Sequence, residues 1–302
     1  MDTYSRARRG IALGASGLLV AGATVAMTTA TTTSANAGQI NKDYNYNCVL
    51  SLNGETYKVG ITTRVKVPGS VVVGRKVAKR NANLAIHIPE PLHEMVLGLG
   101  ATSAEGGSSN ARVGVKIGKK VRNVPIKNLS APKAPIPPSG EQWSIATKGT
   151  VQAFKVPANA KGGTKARLTM PKAFKIDAVV YLGDTPIPNT LKCTVGKKRA
   201  LGTINIRKAP SKLNVNIKPK RIVAKKTRAR VNVKVNSTGK ATGKVRVKQG
   251  KKVLGTAKLK AGKATVKLKR FAKPGKRRLT IAYVGNKSVK ASTVKRTVRV
   301  RK

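Results

Sequence analysis

The sequence predicts an all-β protein, with a β-rich N-terminal domain followed by a two-sheet β-sandwich. Two observations carry this. Runs of strictly alternating apolar and basic residues recur through about the last 90 residues, and turn residues fall between the runs. A third observation concerns the partner rather than the fold. After Asp184 the chain holds 38 Lys and Arg and no Asp or Glu.

The alternation begins with Leu213, Val215 and Ile217. It continues through Arg230 to Val235, Lys244 to Lys248, Thr265 to Lys269, Arg278 to Ile281 and Thr297 to Arg301. Successive side chains of a strand point to opposite faces, so period two with β-branched residues marks half-buried strands. Turns are expected at Ser237-Thr238-Gly239, Gln249-Gly250, Ala261-Gly262, Lys273-Pro274-Gly275 and Gly285-Asn286. The expected core is Val215, Ile217, Val231, Val233, Val235, Val245, Val247, Leu268, Leu279, Ile281, Tyr283, Val298 and Val300. Lys234, Arg246 and Lys267 are expected to face water, with their stems lying on the sheet. A Lys-rich disordered tail is the alternative that composition suggests. Sustained alternation argues against it.

Residues 1–37 read as an export signal. Arg6, Arg8 and Arg9 form a basic start, Ile11 to Met27 is apolar, and Ala35-Asn36-Ala37 supplies a small-x-small cleavage site. An uncleaved anchor is the alternative, and Arg8-Arg9 leaves twin-arginine export open beside the general route. No later segment is long and apolar enough to span a membrane. The expected location is secreted or extracellular, with possible retention at the cell surface. Cys48 and Cys193 are the only cysteines. In an exported chain such a pair is most simply a disulfide, with two free thiols or half a metal site as the alternative.

About 265 residues follow the signal, more than one core usually serves. The boundary is expected at Ala209-Pro210-Ser211. This gives a domain at 38–208 with 28 basic and 8 acidic residues, and one at 209–302 with 32 basic residues and no acid. Within the first domain, Ile61 to Val77, Leu84 to Ile88, Ala111 to Ile117, Thr150 to Val156 and Ala166 to Met170 carry strand patterns. Pro91 to Leu97 reads as a short helix ended by Gly98. Pro132 to Pro138 reads as an extended surface loop.

The run Leu279 to Asn286, with Ser288, Ser292 and a final valine-alternating strand, resembles the end of bacterial immunoglobulin-like repeats. The resemblance covers roughly residues 211–301. It implies an immunoglobulin-like sandwich in which Tyr283 is a structural tyrosine whose hydroxyl bonds backbone near a strand corner. The chain departs from such repeats in replacing most surface polar residues by Lys and Arg. The N-terminal layout resembles an uncharacterised exported β-domain family of high-GC Gram-positive bacteria. Shared features are Tyr46-Asn47-Cys48, Pro68 to Gly74, the Leu-Gly-Ala turn after the helix, and Cys193 to Ile206. That resemblance covers roughly residues 44–207 and implies fold and compartment but no chemistry.

No catalytic pattern stands out, and the chain reads as non-enzymatic, with no cofactor. His87, Glu90, His93 and Glu94 cluster in sequence, but Pro89 and Pro91 break any common helix and the spacing does not suit two helical ligands. They read as surface or partly buried polar side chains rather than a metal site. Glu55, Asp177 and Asp184 read as salt-bridge partners. Like charges raise the free energy of the compact state, so an anionic partner is expected. Anionic cell-envelope polymers fit an exported chain best. A structural spacer binding an acidic protein is a second reading. Nucleic acid, bound without sequence preference, is a third, weakened by the ten aromatic residues. The expected polyanion-binding residues are Lys244, Arg246 and Lys248 from one strand and Lys263, Lys267 and Lys269 from another.

Overall fold

The computed structural model describes residues 38–302, and the segment read as an export signal lies outside them. The first half of the chain forms β1 (Gly38–Leu50), β2 (Thr56–Val67), β3 (Ser70–Val72), β4 (Lys76–Val77) and β5 (Arg80–His87). Helix α1 (Glu90–Gly98) precedes β6 (Ser103–Ser108), β7 (Arg112–Ile117), β8 (Lys120–Pro135), β9 (Ser144–Val151) and β10 (Phe154–Lys155). The series ends with β11 (Thr164–Thr169), β12 (Ala173–Leu182), β13 (Thr185–Thr194) and β14 (Ala200–Arg207).

Eight of these strands close into an antiparallel barrel. Round the ring the order is β1, β2, β5, β9, β8, β6, β12 and β13, and β13 pairs back onto β1. The branch point is β8. Its first half pairs with β7, and the sheet then runs on through β11 and β14 to β3. Its second half pairs with β9 and β6. The change falls at a bulge where Asn128 has a φ of 52°, a conformation asparagine tolerates better than most residues. Closure also needs Gly149. A Cβ there would lie 2.9 Å from Ile126 Cγ2 and 3.1 Å from Leu129 Cα.

Two local expectations are corrected. Pro132 to Pro135 belongs to β8 rather than to a loop, because Pro132 sits opposite the bulge between Ala104 and Gly106, where no ladder donor is needed. The helix runs through Gly98, and the positive-φ residue that ends it is Gly100, at 81°.

Cys48 and Cys193 face each other in register on β1 and β13, with Cα atoms 3.9 Å apart, and are joined by a disulfide. Next to it Tyr46 is fully buried. Its hydroxyl donates to Pro171 O at 2.8 Å and its ring stands edge-on to Phe174 at 5.1 Å. Around α1, however, the barrel interior is not filled. A cavity of ≈ 280 Å³ remains there.

The second half forms β15 (Lys212–Lys218), β16 (Ile222–Val223), β17 (Arg230–Asn236), β18 (Lys244–Gln249) and β19 (Lys252–Lys258). It continues with β20 (Lys263–Lys267), β21 (Gly275–Tyr283) and β22 (Ser292–Arg301). One sheet has the order β15-β17-β20, the other β16-β22-β21-β18-β19. Together they make the immunoglobulin-like sandwich. Its core holds Val231, Val233, Val235, Val245, Val247, Leu268, Leu279, Ile281, Tyr283 and Val300, all buried. Val215, Ile217 and Val298 are half-buried against it, while Leu213, Ile222, Val266 and Phe271 complete it. Lys234, Arg246 and Lys267 are exposed.

The connection at 209–211 is not a loose linker. Ala209 is fully buried, its N–H donates to Ser288 O at 2.9 Å and its carbonyl accepts from Lys290 N at 2.8 Å. Further bonds tie the sandwich to the barrel's sheet extension. Lys240 N donates to Ala158 O at 2.7 Å, Gly162 N to Lys287 O at 2.9 Å and Thr238 Oγ1 to Val73 O at 2.7 Å. Gly74 allows the last contact. Its φ is 79°, and a Cβ there would sit on the Thr238 carbonyl.

Gly74→Ala is therefore expected to open this junction without unfolding the sandwich, read as faster proteolysis near Ala209 with unchanged far-UV circular dichroism. Reducing the disulfide, which closes a loop of 145 residues, should lower stability by about 4–5 kcal/mol in denaturant titrations.

Candidate polyanion-binding faces

The six expected anion-binding residues do not form one footprint. Lys244, Arg246 and Lys248 lie on β18 in the five-stranded sheet, whereas Lys263 and Lys267 lie on β20 in the three-stranded sheet. The two sheets pack against each other, so their outward faces point to opposite sides. Lys269 follows β20, exposed, with its N–H bonded to Leu254 O. The structure thus presents two cationic faces.

Cross-strand register defines the first face, because residues directly opposite in a sheet share a side. On the three-stranded sheet Asn216, Asn232 and Thr265 form a polar row, in which Thr265 Oγ1 donates to Asn232 Oδ1 at 2.8 Å. A row of Lys218, Arg230 and Lys267 lies on one side of it, and Asn214, Lys234 and Lys263 on the other. The cationic rows are four residues apart along β17, about 13 Å. Between them lies a shallow concavity lined by Asn214, Asn216, Asn232, Lys234, Lys263 and Thr265.

The second face covers the five-stranded sheet. Lys244 stands opposite Lys258, Arg246 lies between Thr256 and Ala282, and Lys248 is opposite Thr280. Arg278 and the facing pair Lys276 and Arg299 extend it across β21 and β22. Small residues separate the cations, so the surface is flat.

Like charges directly across a sheet are destabilising. Here they recur at Lys218 with Arg230, Arg230 with Lys267, Lys234 with Lys263, Lys244 with Lys258 and Lys276 with Arg299. No carboxylate offsets them. Among the described residues no Lys or Arg nitrogen lies within 4.0 Å of a carboxylate oxygen, and the one contact at that distance, His93 Nδ1 with Glu90 Oε2, is an ion pair only when the imidazole is protonated. Glu55, expected to pair with a cation, instead accepts from Asn53 and Tyr57, and Asp177 accepts from Thr190 Oγ1. Asp184 has no cation within that distance either.

Tyr283 is buried and donates its hydroxyl to Thr242 O at 2.9 Å. The Asn286 amide bonds Thr242 Oγ1 and Lys240 O, so tyrosine and asparagine together hold the 240–242 turn. Burial pushes the phenols of Tyr283, Tyr46 and Tyr44 up from their ordinary value.

His93 is fully buried rather than at the surface. It packs on Trp143 at 5.2 Å between ring centroids, and its Nε2 lies 2.9 Å from Pro137 O, which can only accept. The Ser139 hydroxyl holds the Glu94 carboxyl low. Among the described residues no group of three or more His, Cys, Asp or Glu could hold a metal ion.

One polar array escaped the sequence. Thr62 Oγ1 donates to Asp43 Oδ1 at 2.6 Å, so it must accept from His87 Nε2 at 2.9 Å. In the neutral imidazole His87 Nδ1 then accepts from Ser144 Oγ at 2.8 Å. The four residues come from four barrel strands, and no sequence spacing signals their meeting. They line neither the cavity under α1 nor a smaller one of ≈ 60 Å³ beside Phe174.

Residues 45–202, which hold the barrel and most of its extension, match the Family of unknown function (DUF6801). The chain belongs to this family. Beyond its DUF6801 domain, residues 215–301 match the Bacterial Ig-like domain (group 3). No curated protein matches the chain. Among solved structures it is similar to the fibronectin(III)-like modules of Clostridium thermocellum CbhA, at 12% identity and TM-score 0.24, covering 79% of this chain and 94% of that one. It is also similar to a β-D-glucuronidase of Dictyoglomus thermophilum, at 11% identity and TM-score 0.21, covering 88% of this chain and 45% of that one. A Ruminococcus gnavus β-glucuronidase gives 11% identity, TM-score 0.24 and coverage of 87% and 44%. The chain spans less than half the length of these glucuronidases. No helix among the described residues is long and apolar enough to cross a membrane.

A group whose folded pKa is raised contributes stability below its unfolded pKa and loses it as pH rises. The buried tyrosines should therefore make stability fall progressively as pH rises above about 10. Phenolate absorbance near 295 nm from Tyr46 and Tyr283, assigned with Phe variants, is expected only together with loss of tertiary circular dichroism.

Proposed function

We propose that this is an exported, non-enzymatic protein of the cell surface or extracellular space. Its immunoglobulin-like sandwich binds anionic envelope polymers through two cationic faces. The observation that carries the reading is the set of like-charged pairs held directly opposite one another with no carboxylate nearby. Such pairs lower stability in the free protein, and a polyanion lying across the strands offsets the repulsion. The basic start and apolar run of residues 1–37 support export, and the match of residues 215–301 to a bacterial Ig-like domain supports a bacterial setting.

The polymer class follows from the chemistry of the faces. Asn and Thr side chains between Lys and Arg rows suit a chain carrying hydroxyls as well as phosphates or carboxylates. Duplex DNA would still be held by its phosphates. Aromatic platforms for single strands are lacking here, since Tyr283 and Phe271 are both buried.

Charge-driven binding releases counterions, so affinity should fall steeply with salt, by about 0.9 log units per log unit of salt for each DNA phosphate engaged. The purified protein would be titrated with teichoic acid, heparin and duplex DNA from low to high salt. Two triple variants, Lys234→Ser/Lys263→Ser/Lys267→Ser and Lys244→Ser/Arg246→Ser/Lys248→Ser, test the two faces separately. Each used face should lose affinity and reduce the slope by about one per cation removed. Salt-independent binding, or full binding by both variants, overturns the reading. Tighter binding to DNA than to teichoic acid under every condition moves it to nucleic acid.

A further inference from the structure

The barrel cavity is walled by strands and roofed by a helix. All eight barrel strands line it, and α1 covers it with Leu92, Met95 and Val96. Its polar side chains are few, and their oxygen atoms are occupied. Thr147 Oγ1 donates to Leu84 O, Glu105 accepts from the Tyr181 hydroxyl, and Asn189 Oδ1 accepts from Ser51 Oγ and Thr190 N. Water needs two to four polar partners to stay in a cavity, and this wall offers few. An apolar occupant fits it better.

Size and shape narrow the occupant. The cavity of ≈ 280 Å³ has nearly twice the volume of an engineered 150 Å³ cavity that holds benzene, which leaves room for about ten to twelve carbon atoms. On β12 the lining runs from Ile176 to Leu182, about 20 Å along the strand and about 15 Å along the axis of a tilted barrel. That volume over that length gives a channel about one hydrocarbon chain wide. The way in is marked as well. Two of the six large hydrophobics exposed among the described residues, Leu52 at 55% and Leu99 at 47%, belong to the cavity wall. They lie on the β1–β2 turn and at the end of α1.

We propose that the barrel binds a single aliphatic chain of about ten to twelve carbons, which enters between Leu52 and Leu99 and leaves its polar head in water. The site takes the acyl or alkyl tail of an amphiphile, whatever its head group. It is independent of the cationic sandwich.

Trp143, the only tryptophan, lines the cavity and reports on it directly. Quenching of its fluorescence by a dodecanoate brominated at the chain end, together with calorimetry of unlabelled fatty acids and of dodecanol, tests the proposal on the purified protein. Acid and alcohol should both bind, tightening about fourfold per added methylene up to roughly twelve carbons and then levelling off. Ala178→Phe, which fills the channel, should abolish quenching. Ala131→Leu serves the same purpose if the first variant folds poorly. The Lys244→Ser/Arg246→Ser/Lys248→Ser variant should bind the chain as the parent does, so loss of polymer binding and loss of chain binding remain distinguishable. Binding of dodecanoate but not dodecanol, quenching that disappears with salt, or quenching unchanged in both cavity-filling variants would mean adsorption to surface cations and would overturn the proposal.

Discussion

Mutual repulsion among cations is the constraint on which the rest of this structure depends. With no acidic residue after Asp184, the second half of the chain cannot relieve that repulsion by internal ion pairs. It can only spread the charge. A two-sheet sandwich does so efficiently, because each strand sends alternate residues to opposite sides and the sheets turn their charged sides away from one another. A helical domain of the same composition would crowd Lys and Arg at i, i+3 and i, i+4 on one stripe. Valine at the inward positions adds β-preference to the same choice, and charged edges discourage pairing between copies.

The DUF6801 domain answers a different problem, that of ending a sheet. Its barrel returns β13 to β1 and leaves no edge in the ring, while β8 carries the sheet onward through β7 to β3. The long strand that joins the two has to bend. Asn128, Gly149 and Pro132 are three separate concessions to that bend. The barrel half near Tyr46 and Phe174 is cross-linked and keeps a cavity of only ≈ 60 Å³, whereas the half under α1 keeps ≈ 280 Å³ open.

Legibility in the sequence followed regularity. The sandwich strands, the helix and the disulfide could be read because period two, Pro91 and a lone cysteine pair are local signals. The closure of the barrel could not, although strand patterns inside β2 and β5 are legible. β6 reads Ser-Ala-Glu-Gly-Gly-Ser, with no apolar alternation, and β8 carries prolines that argue against a strand. Both are strands because neighbours on either side supply their hydrogen bonds, which is information held far away in the chain. The cationic faces were half legible for a similar reason. Alternation tells which residues point outward but not which sheet a strand joins, so the sheets of Lys244 and Lys263 stay open until strand order sets them on opposite sides. Nor could a cavity have been inferred, since Ile86, Ala178 and Val180 read as ordinary core positions whether or not anything fills the space between them.

The seam between β1 and β13 also bears on how the protein is made. The first strand and the thirteenth are about 145 residues apart, yet they are adjacent in the ring and share the disulfide. A chain emerging from its N-terminus therefore exposes β1 long before its second neighbour exists. The ring can close only after residue 194 has emerged. Such long-range pairing is slow, and until it occurs the inward valines and tyrosines of β1 and β2 are open to misassociation. Oxidation of Cys48 with Cys193 then acts as a latch, recording that the first and last staves have met.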